Sequence, residues 1–341
     1  MQIIKINKKS EWEEVLNKIS SVCFLQSWGW GEFQESLGSR VYRVVFTDKD
    51  TVLAAQYYIK KSRLFTYLYL PRGPVGDTSL LNKLLDSIKE VAKQNKVHFI
   101  LIEPEQKEVG EKLTKFTTQP SMQPAATSIV SLSKNIESLQ ANLRKTTKQM
   151  IKKAQESNVK IKVYTDLSHW DVFARLFNDT TKRQGFNPHS LNYMKKQLQI
   201  FGEDGRAKLY IAELDDKAIA GAIIVSYHKT SIYLHAASSS EYRELGAAHL
   251  LLWTAIMDAK ESGNQVFDLW GVAPDNQPHH PWAGISIFKH GFSGETVSYP
   301  SGFILPVNTV RYKLYRLISL LRKLPTFKTT QRALLSAITR G

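Results

Sequence analysis

Two parts of the sequence repeat each other, and this internal duplication constrains the fold more than any other feature. A hairpin is predicted for Thr47 to Lys61 and again for Leu214 to Lys229, since each consists of two apolar alternating runs around an Asp-rich turn. A helix followed by a strand is predicted for Lys89 to Pro104 and again for Met257 to Gly271. The same number of residues separates the members of both pairs. The sequence therefore predicts an α/β (α+β) fold with two copies of one unit.

These copies set the predicted domain boundaries. A chain of 341 residues has the length of two ordinary domains. We predict a first unit over residues 1–125, a second unit over residues 126–300, and a tail, residues 301–341, that joins the first unit. The polar segment Thr117 to Ala126 would link the two units.

Cysteine content and hydropathy indicate a cytoplasmic location. The single cysteine, Cys23, excludes an internal disulfide framework and is typical of a reducing compartment. The N-terminus lacks the apolar stretch of a secretory signal, and no run approaches the roughly 18 apolar residues that a membrane span needs. We expect a soluble protein.

Positive charge is concentrated near the C-terminus. The net charge is +15, and no acidic residue follows Glu295. The basic residues beyond that point are Arg311, Lys313, Arg316, Arg322, Lys323, Lys328, Arg332 and Arg340. Apolar residues at helical spacing predict an amphipathic helix that ends before Pro325 and precedes a short second helix: Val310, Leu314, Leu317 and Leu321. This charge would suit tRNA, a nucleotide diphosphate or an anionic membrane face, and a solubilising surface explains it equally well.

A basic helix is predicted where the second unit begins. After a strand at Thr127 to Leu132, the helix should run from about Ile136 to Ser157 with Ser133 or Asn135 as its N-cap. Three cations recur every four residues along it and form one basic stripe: Arg144, Lys148 and Lys152. Such a stripe is usually a solvated face, but repulsion between its like charges favours an anionic partner.

The segment from Phe267 to Phe292 carries the strongest chemical signal. It follows a predicted strand from Val266 to Leu269 that ends in Trp270-Gly271. After a loop rich in proline and histidine, a short strand is predicted to hold Phe288 and Lys289 side by side. One cation and several aromatic residues would then meet at the mouth of a sheet, where acyl transfer needs a fixed positive charge.

This segment resembles the closing motif of the Fem-type (FemABX) aminoacyltransferases, which join amino acids from charged tRNA to peptidoglycan precursors. The matching residues are Asp268, Gly271, Gly284, Phe288, Lys289 and Phe292. Further similarity lies in Gln26, Trp28 and Trp30, in the Tyr69-to-Pro74 turn, and in Glu103-Pro104. The resemblance implies two tandem GNAT-like units and a monomer that needs neither metal nor redox cofactor. Aminoacyl-tRNA would be the co-substrate, and a lipid-linked or nucleotide-linked muropeptide would be the acceptor.

The resemblance also implies roles for individual residues. Lys289 would polarise the ester carbonyl of aminoacyl-tRNA, and Phe288 would be either a core residue or a wall of the substrate site. Asp268 and Glu103 are candidates for a general base. The substrate-binding residues would be Gln26, Trp28, Gln34, Arg72, Glu103, His189, Tyr193, Tyr233 and Trp270.

Two departures from the family pattern concern the acceptor. Some members hold the diphosphate of a nucleotide-linked precursor with a lysine and an arginine. Those places hold Gln34 and His189 in this chain, so one cation is lost and the other depends on pH. The departures count against a UDP-linked acceptor and favour a lipid-linked or different one, and contact with the inner face of an anionic membrane would fit a lipid-linked acceptor.

Two other functions are compatible with the sequence. The segment Arg243 to Ala248 resembles the loop with which GNAT enzymes bind the pyrophosphate of coenzyme A, which would suit an N-acyltransferase acting on a polysaccharide or lipid amine. Ala247 counts against that function because its Cβ crowds the approach of a phosphate. A non-catalytic tRNA- or membrane-binding protein is the other alternative, and Lys289 argues against it. His279 and His280 lack further ligands at metal-binding spacing.

Overall fold

The computed structural model describes residues 2–20, 22–62, 64–184, 189–275, 277 and 279–321. The strands are β1 Gln2–Lys5, β2 Arg40–Asp48, β3 Thr51–Lys61, β4 Thr66–Pro71, β5 Val75–Gly76, β6 Phe99–Glu103, β7 Thr117–Gln119, β8 Ala126–Ser131, β9 Lys160–Tyr164, β10 Ala207–Leu214, β11 Lys217–Tyr227, β12 Thr230–Ser238, β13 Val266–Gly271, β14 Glu295–Ser298 and β15 Gly302–Pro306. The helices are α1 Lys9–Asn17, α2 Trp28–Ser36, α3 Leu81–Gln94, α4 Lys107–Lys112, α5 Ile136–Asn142, α6 Lys145–Glu156, α7 Trp170–Gln184, α8 Leu191–Glu203, α9 Ala247–Glu261, α10 Ala283–His290 and α11 Thr309–Leu321.

The chain divides into two compact units, each built from separate segments. The first consists of Met1–Asn7, Ser39–Gln119 and Ser301–Gly341, and the second of Lys8–Gly38 and Pro120–Pro300. The predicted boundary is wrong for Lys8–Gly38, which belongs to the second unit because α2 packs on α8. In that contact the rings of Phe33 and Tyr193 lie 4.7 Å apart. The short second helix predicted for the tail lies outside the described residues.

The described part of the first unit forms an eight-stranded sheet in the order β1-β2-β3-β4-β6-β15-β7, with β5 paired to β3. Its core lies between the sheet and α3, whose buried residues recur every three or four positions: Leu81, Leu84, Leu85, Ile88 and Ala92. Strand β15, from the end of the described chain, pairs antiparallel with β6. The ring of Phe99, at the start of β6, lies 4.5 Å from the ring of Tyr315 on α11.

The second unit repeats this arrangement in a seven-stranded sheet, in the order β14-β8-β13-β12-β11-β10-β9. The antiparallel strands β10, β11 and β12 lead through α9 into β13, which is parallel to β12. The first unit has the same path from β2, β3 and β4 through α3 into β6, which is parallel to β4. The predicted duplication is therefore confirmed at the level of strand order and direction.

The two parallel pairs differ in one respect that matters for function. In the first unit, β4 pairs with β6 continuously from Tyr67 to Pro71. In the second unit, the ladder between β12 and β13 ends at Ile232 opposite Asp268, although β12 continues to Ser238 and β13 to Gly271. The sheet of the second unit thus opens where β13 ends.

The single helix predicted from Ile136 to Ser157 is wrong, because a break at Leu143 divides it into α5 and α6. The predicted cap is confirmed, since the Asn135 side chain accepts from the N–H of Ser138 at 2.9 Å. At the break, Leu143 has an extended backbone, and the Arg144 N–H donates to the carbonyl of Gly291 at 3.0 Å. This bond to a distant segment replaces a bond within the helix.

The strand predicted for Phe288 and Lys289 is also wrong, because both residues lie on α10. Ile285 and Ile287, which alternate with a polar residue as they would in a strand, are 40% and 63% exposed. The buried face is set instead by Ser286 and Lys289, three residues apart on the helix. Among the described residues, no helix is long and apolar enough to cross a membrane.

Candidate active site

Lys289 lies at the opening of the second sheet. It is 7% exposed, and its Nζ donates to the carbonyl of Gly271 at 2.8 Å. Gly271 is the last residue of β13, so this bond fixes the ammonium at the end of that strand. The same Nζ lies 5.9 Å from the centre of the Tyr233 ring on β12. Lys289 therefore bridges the two strands that separate at this point.

Burial makes the ammonium of Lys289 easier to deprotonate. Desolvation lowers the pKa of Lys289 to about 8, and the nearby Asp268 carboxylate opposes that shift. At neutral pH the ammonium is still mostly protonated. Because an ammonium has three N–H donors, its bond to Gly271 leaves capacity to bind a substrate carbonyl oxygen.

Asp268 lies three residues before Gly271 on β13 and is held in a fixed orientation. Its Oδ1 accepts a short hydrogen bond from the Thr127 hydroxyl on β8 and another from the Trp270 N–H at 2.7 Å. Trp270 has a positive φ of 58°, which is uncommon for a bulky residue and typical of functional sites. The strand end is thus shaped by a carboxylate that is 6% exposed.

Gly271 is required by close packing. A Cβ at this position would lie 2.8 Å from the Trp282 ring and 3.1 Å from Pro124. The glycine therefore allows the loop before α10 to fold against β13, which brings Lys289 within reach of the Gly271 carbonyl.

Two side chains on β12 line the same opening, the buried Tyr233 and the half-buried His235. Burial raises the pKa of Tyr233. Burial, with a smaller effect of His189, lowers the pKa of His235 to about 3, so this imidazole is neutral at physiological pH. The Nε2 of His235 lies 2.8 Å from the Gln197 side-chain oxygen on α8. His189 stacks on Tyr193 with ring centres 4.1 Å apart and lies 6.3 Å from His235.

The structure brings part of the predicted site together. Lys289, Asp268, Tyr233 and Trp270 surround the opening, and His189 and Tyr193 are linked to it through His235. Sequence reasoning missed Thr127, His235 and Gln197, which orient these groups. No local signal marked Thr127, because β8 also contains Ser128 and Ser131, and none marked Gln197.

The N-terminal part of the predicted site lies in the second unit. Gln26 is buried, and its carbonyl accepts from Trp12 Nε1 at 2.9 Å. The half-buried Trp28 donates its N–H to Glu13 at 3.1 Å. Gln34 is fully buried, and neither its amide oxygen nor its amide nitrogen has a hydrogen-bond partner within the described residues. Trp30 is a core residue.

Arg72 and Glu103 belong to the first unit. Both are buried, and Glu103 accepts from the Tyr69 hydroxyl at 2.7 Å. Pro71, next to Arg72, is paired with Glu103 across the parallel strands β4 and β6. Their predicted role in acceptor binding stays a prediction.

Phe288 contributes to packing in the second unit. Its ring lies 4.8 Å from His249 and 5.5 Å from Phe292, against the core of that unit. Within the described residues there is no group of three or more His, Cys, Asp or Glu side chains that could hold a metal ion.

The loop that resembles a coenzyme A site has a packing explanation. Gly246 is the N-cap of α9 with a φ of 76°, and a Cβ there would collide with the backbone carbonyl of Met150 on α6. The glycine is thus required for the contact between α9 and α6, whatever the loop binds.

Replacing Gly246 by alanine is therefore expected to lower the free energy of unfolding by about 3 kcal/mol or more, from backbone strain plus a displaced helix. Gly263 is the matched control, because its φ is 78° but nothing lies within 4 Å of a Cβ built there. Gly263→Ala should lose only about 1–2 kcal/mol. Urea unfolding of both variants checks this, and equal losses would contradict the packing explanation.

Comparison with known proteins now identifies the family. The model of the FemAB family matches residues 8–112, 105–218 and 215–319. The chain belongs to the FemAB family. Lipid II:glycine glycyltransferase of Staphylococcus aureus is 24% identical over 352 residues, which cover 78% of this chain and 83% of that protein.

Solved structures agree with this FemAB assignment at the level of fold. The crystal structure of FemX matches with a TM-score of 0.82 and 21% identity, covering 92% of this chain and 99% of FemX. A tandem GNAT protein from the clavulanic acid biosynthesis pathway matches with a TM-score of 0.58 and 10% identity, covering 90% and 98% of the two chains. The predicted fold of two tandem GNAT-like units is therefore confirmed.

Proposed function

We propose that this FemAB protein is an aminoacyltransferase that moves an amino acid from aminoacyl-tRNA to an amine of a lipid-linked peptidoglycan precursor. The observation that carries this function is the buried ammonium of Lys289, fixed on the Gly271 carbonyl where β12 and β13 separate. Support for the substrate comes from a relative whose name describes glycyl transfer to lipid II. The reaction forms a link of an interpeptide bridge.

The reaction is acyl transfer from an ester to an amine. The amine nitrogen attacks the ester carbonyl, the C–N bond forms, and negative charge develops on the carbonyl oxygen. Lys289 would donate to that oxygen, and a preorganised donor of this kind contributes most where charge appears in the transition state. The ester C–O bond then breaks, and the ribose hydroxyl of the tRNA takes up the proton that the amine loses.

Two carboxylates, Asp268 and Glu103, are the candidates for a general base. Asp268 lies next to Lys289 but accepts from the Thr127 hydroxyl and the Trp270 N–H, which favours an ionised, orienting carboxylate. Glu103 accepts from Tyr69 in the first unit. Both remain candidates, and an activated ester already makes the transfer undemanding once the substrates are held in place.

Two features favour a lipid-linked over a UDP-linked acceptor. Gln34 is neutral and fully buried, so it offers no charge to a diphosphate. His189 stacks flat on Tyr193 near the neutral His235. An acceptor in the membrane would place the enzyme at the inner, cytoplasmic face of an anionic bilayer.

The surface of α11 suits such a location. Its apolar residues Val310, Leu314 and Leu317 are 77%, 42% and 54% exposed. On its other side, Tyr312 and Tyr315 contact Phe99 on β6. The exposed cations Arg311, Lys313 and Arg316 flank this apolar row. Apolar side chains flanked by lysine and arginine are typical of helices that lie in the headgroup region of a membrane.

Leu314→Ser/Leu317→Ser is therefore expected to weaken binding to vesicles with anionic headgroups by about tenfold to a hundredfold, since it removes buried apolar area at the interface. Vesicle flotation with anionic and neutral lipids measures this. Leu37→Ser/Ile136→Ser, two exposed apolar residues of the second unit, is the control and should bind normally. Equal binding of the wild type to neutral and anionic vesicles would end the proposal of a membrane face.

A mass-shift assay tests the function itself. Purified protein would be given charged tRNAs and either a lipid-linked or a UDP-linked muropeptide. A gain of one amino-acid residue on the lipid-linked acceptor is the expected result. Transfer to the UDP-linked acceptor alone would overturn the assignment of the acceptor, and transfer from acyl-CoA but not from tRNA would overturn that of the donor.

A further inference from the structure

Two segments without acidic residues meet on the surface of the second unit. Between Glu137 and Glu156 the chain has five basic and no acidic residues, and between Asp275 and Glu295 it again has no acidic residue. The first segment contains the break before α6, and the second contains α10. These segments are far apart in sequence, so the fold and not the local sequence creates their shared positive surface.

Hydrogen bonds fasten the two segments together at the start of α6. The Arg144 side chain donates to the carbonyl of Ile287 at 3.1 Å, and its N–H donates to the carbonyl of Gly291 at 3.0 Å. The Ser293 hydroxyl makes a further short bond to the Asn142 carbonyl. Ile287 and Gly291 lie two residues on either side of Lys289. The basic surface is therefore anchored on the helix that carries the proposed catalytic cation.

The cations of this surface are exposed, and two of them also donate to backbone carbonyls: Arg144 to that of Ile287, and Lys148 to that of Ala141 at 2.7 Å. On α6 the buried face is Thr147, Ile151 and Ala154, so Lys145 and Lys148 lie on the exposed side. Arg144 is the N-cap of α6, and no side chain caps the helix there. The N-terminal end of the helix dipole adds partial positive charge to that of Arg144 and the two lysines.

We infer that this surface, formed by Arg144, Lys145 and Lys148 beside α10, binds the phosphate backbone of the acceptor stem of the tRNA donor. The inference rests on the proposed function for its choice of polyanion, and the position of the surface next to Lys289 favours RNA over a membrane. Phosphates along a helical stem match a row of cations spaced by helix turns. Trp282, the N-cap of α10, and Ile285 on that helix are 39% and 40% exposed and offer a face on which unpaired bases of the tRNA end can stack.

The test compares Lys145→Gln/Lys148→Gln with a control of equal charge change on α3, Lys89→Gln/Lys93→Gln. Fluorescence anisotropy with uncharged tRNA is measured between 50 mM and 300 mM salt. The surface double variant should bind about 10- to 60-fold more weakly at about 0.1 M salt, and its log–log salt slope should fall by about 1.5–2. The control should bind tRNA as the wild type does, and thermal melts should show both variants folded.

A second measurement separates this inference from the proposed function. Transfer is assayed with full-length aminoacyl-tRNA and with an aminoacylated trinucleotide that lacks the stem. The surface variant should lose kcat/KM for the full tRNA by the same factor and keep that for the trinucleotide. Unchanged tRNA affinity and salt slope would overturn the inference, as would loss of anionic-vesicle binding with tRNA binding intact. A wild type that binds tRNA through this surface but transfers from neither donor would overturn only the proposed function.

Discussion

Replacement of Lys289 by methionine is expected to lower kcat for aminoacyl transfer by about 10²–10³-fold, the usual loss when one donor to a developing oxyanion is removed. Methionine has nearly the length of the lysine stem and should fill the same buried space. It cannot donate to a carbonyl oxygen. The KM for the tRNA donor should change little, because the lost interaction strengthens only as the transition state forms. Single-turnover transfer from charged tRNA measures the rate.

Lys260 provides the matched control for this experiment. It is a half-buried lysine of the second unit, and its Nζ also donates to a backbone carbonyl, that of Leu132 at 2.8 Å. Lys260→Met removes the same type of bond away from the opening between β12 and β13, so transfer should continue at the wild-type rate. If Lys289→Met kept full activity, or if both variants lost activity equally, the catalytic role of Lys289 would be refuted.

The parts of this fold that local sequence patterns determine were predictable, whereas those that depend on contacts between distant segments were not. The hairpins and the helix-strand pairs were predictable because alternation around Asp215-Asp216 and the repeated spacing are local signals. The place of Lys8–Gly38 was not predictable, because it depends on the contact between Phe33 and Tyr193, which are remote in sequence. The same is true of β15, whose pairing with β6 joins distant segments.

The site shows the same limit. A strand was predicted for Phe288 and Lys289, whereas the buried positions of Ser286 and Lys289, three residues apart, are those of a helix. The identity of Lys289 was available from the sequence, but its bond to Gly271 depends on the close packing that this glycine permits. The break at Leu143 had no local signal either, since the Arg144 N–H is diverted by the carbonyl of Gly291.

The buried ammonium of Lys289, which we propose for catalysis, should also lower the free energy of unfolding. Burial lowers the pKa of Lys289 from the ordinary value of 10.5 to about 8, so the unfolded chain binds a proton more tightly than the folded one. Below pH 8 the folded state therefore carries the full penalty of burying this charge. A shift of this size corresponds to about 3 kcal/mol, since one pKa unit is about 1.4 kcal/mol. Such a cost to stability is typical of active sites, where stability is traded for activity.

Lys289→Met is accordingly expected to raise the free energy of unfolding by up to about 3 kcal/mol at pH 7 while it removes activity. Most substitutions of buried residues lower the free energy of unfolding, so an increase here would be unusual. Between pH 8 and 10.5 the wild type should gain stability relative to the variant, because the folded lysine is then neutral and unfolding must take up a proton, which becomes less favourable as pH rises. Urea unfolding at pH 7 and near pH 10 measures both differences, with Lys260→Met as the reference. A variant that is less stable than the wild type at pH 7, with a gap independent of pH, would show that the bond to Gly271 outweighs the burial of charge.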